Sequence, residues 1–370
     1  MAAPPPELIE DAVAEILLRL PGEDPACLVR ASLVCRLWRR ILSDPAFLRR
    51  YRRFHRTPPL LGFFADAYRS DPAPRFVPTA AAASPFSTAA FHSHHRNWLP
   101  LDFRHGRFLL RQVLTHDLLV WDPITGDREE LYHPGIPYLS AAVLCAAPGC
   151  DHCDCHGTSS PFLVVCVGID DTDYEMVDAC VYSSQVGEWV SSASVLMYRS
   201  DPFVHLTRAA VLGDEIYFTL SPGDTILKYD LGRHYLTTID LPYLDSLCYI
   251  VMPTEDGLLG LASTSESSLC LWSRMVNAEG AAGWILCREL ELETVLPVDN
   301  PINRASVIGF AEGVNAILVG TEFGTFTVDL KSGLARKLSE QEILYPVIPF
   351  TSFYTPGCAC SKLPLPVETN

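Results

Sequence analysis

The sequence predicts a small all-α helical module followed by an all-β domain, a β-propeller of six or seven blades. Apolar residues recur at helical intervals up to about residue 55. From about Leu60 that spacing gives way to short β-like runs separated by turn residues. Within this second part Tyr182, Tyr229 and Trp272 occupy equivalent places roughly 45 residues apart, the repeat length of a four-stranded blade.

The helices follow in order. Pro4, Pro5 and Pro6 lead into Ile9, Val13, Ile16, Leu17 and Leu20, which recur at helical spacing until Pro21 and Gly22 stop the helix. Asp24 before Pro25 and Asp44 before Pro45 are start signals, each an acceptor side chain ahead of a residue with preset φ. Leu28 and Ala31 open a second apolar face; Val34, Trp38, Ile41 and Leu42 form a third. In the last helix Phe47, Tyr51 and Phe54 are expected on the buried face, with Arg49, Arg50, Arg52, Arg53 and Arg56 on the solvated one. A unit of roughly 45 to 50 residues is near the size below which a core rarely stabilises itself. Its surplus apolar surface is therefore expected to dock on a partner.

The β part is a series of strand, turn and strand units: LLVWDPITGDREEL from Leu118, ACVYSSQVGEWV from Ala179, TILKYDLGRHYLTTIDL from Thr225, SSLCLWSRMVNAEGAAGWILCREL from Ser267 and GTFTVDLKSGLARKL from Gly324. Most follow an inner-strand-like element such as GRFLLRQV, PFLVVCVGI or NAILVG. A lone four-stranded sheet cannot cover both faces, whereas radially arranged blades cover one another. Between the two parts lies a segment rich in Pro, Ala and Ser; LLGFF from Leu60 and FVP from Phe76 are placed to supply outer strands of a closing blade, and the segment 345–354 to meet them, with a flexible linker as the alternative. A sandwich of two stacked sheets is the alternative arrangement.

EILLRLP from Glu15 to Pro21, VCRLWR from Val34 to Arg39 and DPAF from Asp44 to Phe47 resemble the F-box family in order and spacing. That family usually opens with Leu-Pro and an acidic residue, where this chain has Pro6, Glu7, Leu8 and Ile9. A helical cap on the following domain is the alternative. The WDPITG element and the closing YPVIPFTSFYTP resemble the kelch-like, F-box-associated propeller domains of plant proteins, grass families above all, although paired kelch glycines and regular WD signatures are missing. The resemblance implies an F-box domain over 1–56, a connecting segment over 57–96 and the propeller-like domain over 97–370. It further implies a non-catalytic substrate receptor of an SCF-type ubiquitin ligase, with a Skp-type adaptor and cullin scaffold as partners and an unknown protein as target. The adaptor contacts it implies are Leu8, Ile9, Ile16, Leu17, Leu20, Pro21, Leu28, Val34, Cys35 and Trp38. For Val13, Ile41 and Phe47 internal packing is equally open. A propeller that binds a small molecule or glycan outside ubiquitylation is the second functional class.

A formal net charge of −16 argues against general nucleic-acid binding, which needs Lys and Arg to displace counterions. Thirteen cysteines, an odd and scattered set, do not look like a secreted disulfide framework. The N-terminus lacks the pattern of a signal peptide and no apolar run is long enough to span a membrane, so a cytoplasmic or nuclear protein is expected. The loop CAAPGCDHCDCHG packs Cys145, Cys150, His152, Cys153, Cys155 and His156 together. Cys150 and Cys153 have a zinc-like gap, but a distant second ligand pair is absent. Cys150, Cys153, Cys155 and His156 are thus weak zinc candidates; reduced thiols, little zinc and no cofactor are expected. His92, His94 and His95 are expected to be loop residues, Asp170, Asp171 and Asp173 an exposed turn, and AEGAAG from Ala278 a hairpin turn. No nucleophile elbow, HExxH or P-loop is present, and no catalytic residue is assigned.

Overall fold

A computed structural model of the chain describes residues 9–353 apart from 23, 66–74, 80–97, 124, 137–139, 153–154, 156–159, 170–175, 197–202, 205–206, 222–224, 245–248, 278, 341 and 344–346. Four helices come first: α1 (Glu10–Leu18), α2 (Pro25–Ser32), α3 (Arg36–Leu42) and α4 (Pro45–His55). Both Asp-Pro signals act as expected. α2 begins at Pro25, and α4 begins at Pro45 with the Asp44 carboxylate accepting from the Ala46 amide at 2.9 Å. The helices bury Val13, Leu17, Leu18, Leu28, Ala31, Ile41, Leu42, Phe47 and Tyr51 against one another. The Tyr51 hydroxyl donates to the Leu20 carbonyl at 2.9 Å. Burial, then the nearby Cys27 and Asp24, raises that phenol's pKa and keeps it a neutral donor.

The remainder is a six-bladed β-propeller. Five blades follow in order: β3 (Trp98–Arg104) to β6 (Arg128–Leu131) through β4 (Arg107–Gln112) and β5 (Leu118–Trp121); β7 (Ser140–Cys145), β8 (Phe162–Ile169), β9 (Met176–Ser183) and β10 (Glu188–Leu196); then β11 (Phe203–Val204) and β12 (Ala210–Leu212), both paired with β13 (Glu215–Ser221), followed by β14 (Thr225–Asp230) and β15 (Tyr235–Asp240). The fifth and sixth sheets are β16 (Tyr249–Pro253), β17 (Leu259–Ser265), β18 (Ser268–Val276) and β19 (Ala282–Glu291), and β20 (Ala305–Ala311), β21 (Ala316–Thr321), β22 (Gly324–Asp329) and β23 (Ala335–Ser339). Every pairing is antiparallel within its sheet.

The first blade is assembled from both ends of the domain. β1 (Leu60–Ala65) pairs on one side with β2 (Arg75–Pro78) and on the other with β24 (Val347–Thr351), Phe63 lying opposite Val77 and Pro349. Gly62 permits the close approach of β2: a Cβ there would lie 2.4 Å from the Val77 carbonyl and 2.5 Å from the Phe76 ring. A ring sealed in this way leaves no open edge at its seam.

Buried strands alternate their side chains between neighbouring blades. In β8, Phe162, Val164 and Cys166 pack toward the preceding blade, while Val165, Val167 and Ile169 pack toward the following one. Each of the six blade interfaces has its own apolar cluster, from Phe64, Phe103, Phe108 and Phe350 at the first to Phe63, Ile308, Leu318 and Val347 at the seam. The sequence period has a local cause as well. Asp122, Asp230 and Asp329 end the third strands of alternate blades, and each carboxylate caps the following turn by accepting from Thr125, Arg233 or Ser332. Glu279, Gly280 and Ala281 of the AEGAAG stretch lie in the hairpin turn between β18 and β19, with the Gly280 amide donating to the Asn277 carbonyl; Ala282 and Gly283 already belong to β19.

Candidate functional site

The helical module sits on the propeller's first blade. Phe353, two residues beyond β24, enters the helical core and meets Tyr51 edge-on at 5.9 Å between ring centroids. Val29 of α2 packs on the apolar cluster between the first and second blades. The faces left over are the candidate docking surface. Ile9, which precedes α1, and Ile16 within it are exposed, at 71% and 49%. The turn between α2 and α3 exposes Leu33 (78%) and Val34 (63%), where the Cys35 sulfur caps α3 by accepting from the Trp38 amide.

Of the residues singled out from sequence, Ile9, Ile16, Pro21, Val34 and Cys35 are exposed, and Leu20 and Trp38 are half-buried against the helical core. Leu17 and Leu28 are sealed inside that core and offer no surface to a partner, so their place is internal packing. Val13, Ile41 and Phe47 are internal too. Leu8 lies outside the described residues. Phe54 corrects the expectation for α4: it is 51% exposed, because Phe47 and Tyr51 already fill the space against α1 and α3. Leu33 was missed, although its signal was legible: it is a large apolar residue at the end of α2, outside the face of Leu28 and Ala31.

The arginines of the module take the solvated side and knit the helices together. Arg40 pairs with Glu10 at 2.6 Å, and Glu15 receives both Arg19 at 2.9 Å and Arg50. All are exposed, which limits each pair to about 0–1 kcal/mol. Arg53 reaches Asp151 of the loop between β7 and β8 at 3.0 Å.

At the propeller axis lies an ionic cluster with no local signature in the sequence. Asp102 and Arg104 come from β3, Arg208 precedes β12, and Glu312 follows β20, so three alternate blades meet at the centre. The Arg104 guanidinium donates to both carboxylate oxygens of Asp102, at 2.9 and 2.8 Å. Arg208 donates to Asp102 at 2.9 Å and to Glu312 at 2.9 Å. The Val143 amide also donates to Asp102, at 3.0 Å. Burial opposes the ionised form of Glu312, but Arg104 and Arg208 outweigh it and hold the carboxyl below its ordinary value. These side chains occupy the axis and leave a cavity of about 20 Å³, room for one water. An open cleft lies elsewhere, between the fourth and fifth blades, lined by Leu212, Glu215, Tyr217, Pro253, Leu258 and Arg274.

The Cys/His loop is a further concentration of chemistry. Ligand atoms of Cys145, Cys150, His152 and Cys155 lie within 4.8 Å of one another. Among the weak zinc candidates, Cys150 and Cys155 belong to this group, while Cys153 and His156 lie outside the described residues. His92, His94, His95, Asp170, Asp171 and Asp173 also lie outside them.

Comparison with known proteins agrees with the helical module: a family profile for the F-box domain matches residues 6–50. No curated protein matches the sequence. Among solved structures, AztD from Citrobacter koseri is 11% identical over 79% of this chain and 89% of its own, with a TM-score of 0.38. A functionally unknown protein from Desulfotomaculum acetoxidans is 11% identical over 70% of this chain and 76% of its own, with a TM-score of 0.38. The WD40 domain of SCAP from fission yeast is 11% identical over 68% of this chain and 53% of its own, with a TM-score of 0.36. Likeness at this level says nothing about function.

Proposed function

We propose that this protein is the substrate receptor of an SCF-type ubiquitin ligase, its F-box docking a Skp-type adaptor carried on a cullin and its propeller holding the target. The observation that carries the proposal is the F-box match at residues 6–50 together with the apolar side chains that the same module leaves uncovered, Ile9, Ile16, Leu33 and Val34. Exposed apolar groups on a small helical unit call for a partner surface. F-box proteins are generally non-catalytic. The receptor's contribution is proximity, since holding a target beside the conjugating enzyme makes the transfer effectively intramolecular.

Adaptor contacts on this proposal come from Ile9, Ile16, Pro21, Val34 and Cys35, with Leu33 added and with Leu20 and Trp38 at the margin. Target recognition belongs to surface loops and the cleft between the fourth and fifth blades, because blade-connecting segments vary without disturbing the sheets. The scattered cysteines suit a reducing compartment, so the place of action is the cytoplasm or nucleus. The WDPITG turn and the β24 segment support kinship with plant F-box-associated propellers. The test is reconstitution: full-length protein mixed with a purified Skp-type adaptor and cullin should elute as one complex. Separate elution at micromolar concentrations would refute the proposal.

A further inference from the structure

The loop between β7 and β8 leaves the sheet at Cys145 and returns at Phe162, two residues that face each other in register. Its base is held by the Ala146 amide donating to the Pro161 carbonyl at 3.0 Å, and its first turn by the Cys150 amide donating to the Ala147 carbonyl at 3.3 Å. Connections of this length are uncommon in compact domains and are usually either functional or disordered. Among the described residues here, three thiol sulfurs and one imidazole nitrogen all lie within 4.8 Å of one another.

The spacing of these atoms suits one ion. Zinc held by sulfur at about 2.3 Å and nitrogen at about 2.0 Å in a tetrahedron places its ligands about 3.5–3.8 Å apart. The His152 Nδ1 lies 3.4 Å from the Cys155 sulfur. The His152 amide donates to the Cys150 sulfur at 3.3 Å, which fixes the position of that sulfur. The His152 ring is also steadied from behind, stacked on His105 with centroids 4.0 Å apart and planes 19° from parallel. Soft sulfur and imidazole ligands select zinc over calcium or magnesium, and a set of four protein ligands marks a structural rather than a catalytic centre.

We propose that Cys145, Cys150, His152 and Cys155 form a structural zinc site that orders the β7–β8 loop. Spacing alone argued for little zinc, because no second ligand pair stands at a distance in the sequence. The fold supplies the missing ligand by ending β7 at Cys145, five residues before Cys150. A divalent ion would displace the thiol protons as it binds, so that the cysteines hold it as thiolates. The site also has a mechanical consequence. Asp151, between two of the ligands, is the residue that receives Arg53 of α4, so an ordered loop braces the helical module against the third blade.

The test is metal analysis of full-length protein purified without chelator. About one zinc per chain is expected, falling at least roughly fivefold in Cys150→Ser/Cys155→Ser. Cys287→Ser, which removes an exposed thiol on β19, should keep the metal. If the double variant does not fold, the unaltered protein is stripped with chelator and refilled with Co²⁺. Thiolate-to-cobalt charge-transfer absorption, with loss of protease cleavage inside 146–161, is then expected. Zinc below about 0.1 per chain, equal zinc in the double variant and the parent, or a disulfide joining two of the three cysteines in freshly purified protein would each overturn the proposal.

Discussion

Truncating Leu33 and Val34 together separates adaptor docking from folding, because neither side chain supports the module's core. They are 78% and 63% exposed. Fully burying such a side chain is worth about 1.5–3 kcal/mol, and most of that is still unrealised at these two positions in the free chain. Docking that covers both should therefore gain about 3 kcal/mol from them, and Leu33→Ala/Val34→Ala should weaken adaptor binding by roughly a hundredfold. Stability should change little, within about 0.5 kcal/mol, as for other exposed positions. Leu17→Ala is the contrasting variant. Leu17 has no exposed surface, so its truncation opens a cavity, costs the module about 2–5 kcal/mol and lowers adaptor binding only by unfolding it. Calorimetric titration of a purified Skp-type adaptor, with circular dichroism melting of each variant, measures both quantities. A folded double variant that binds with unchanged affinity would sink the assignment of this turn to the adaptor interface.

Removing one member of the axial cluster should be costly. Arg208→Met leaves Asp102 and Glu312 without a principal partner, and a loss of about 3–5 kcal/mol is expected in chemical unfolding; a loss under about 1 kcal/mol would contradict the role given to the cluster. Glu312 has a folded pKa below its ordinary 4.5, so its contribution is present above that value and lost as the pH falls below it. The melting difference between the parent and Glu312→Gln should accordingly shrink between pH 6 and pH 3, and a constant difference would contradict the ionic origin of the effect. Ending the chain before residue 345 removes β24 and exposes the edge of β1; aggregation on gel filtration and a broadened melt are expected, against a sharp monomeric melt if closure is dispensable.

Much of this architecture was legible because its causes are local. Asp24-Pro25 and Asp44-Pro45 act through the residues next to them, and the Asp122, Asp230 and Asp329 turns are each closed within a few residues. Apolar spacing also identified the helical stripes, but it cannot rank adjacent members of a stripe. Ile16 and Leu17 look alike in sequence; only the packing of α3, α4 and Phe353 decides that Leu17 is sealed and Ile16 is not. The axial cluster was illegible for a related reason. Asp102 and Arg208 meet because a closed ring brings alternate blades to one axis, and no local pattern marks that meeting. The Cys/His loop stands between these cases: its residues were conspicuous, but their selection as a four-ligand set depends on where β7 ends.

Closure of the ring and placement of the helical module are one structural event. β24 seals the first blade by pairing with β1, and two residues later Phe353 enters the core formed by α1 to α4. On its other side the chain passes from α4 at His55 into β1 at Leu60 with few residues between, so the module is tied to the same blade at two points. A swinging tether would spread the adaptor over many separations from the propeller and dilute the effective concentration of a bound target. Two attachments to one closed blade restrict that spread. On the proposed receptor role, whose contribution is proximity, this places the target's reach under the control of the same contacts that keep the propeller shut.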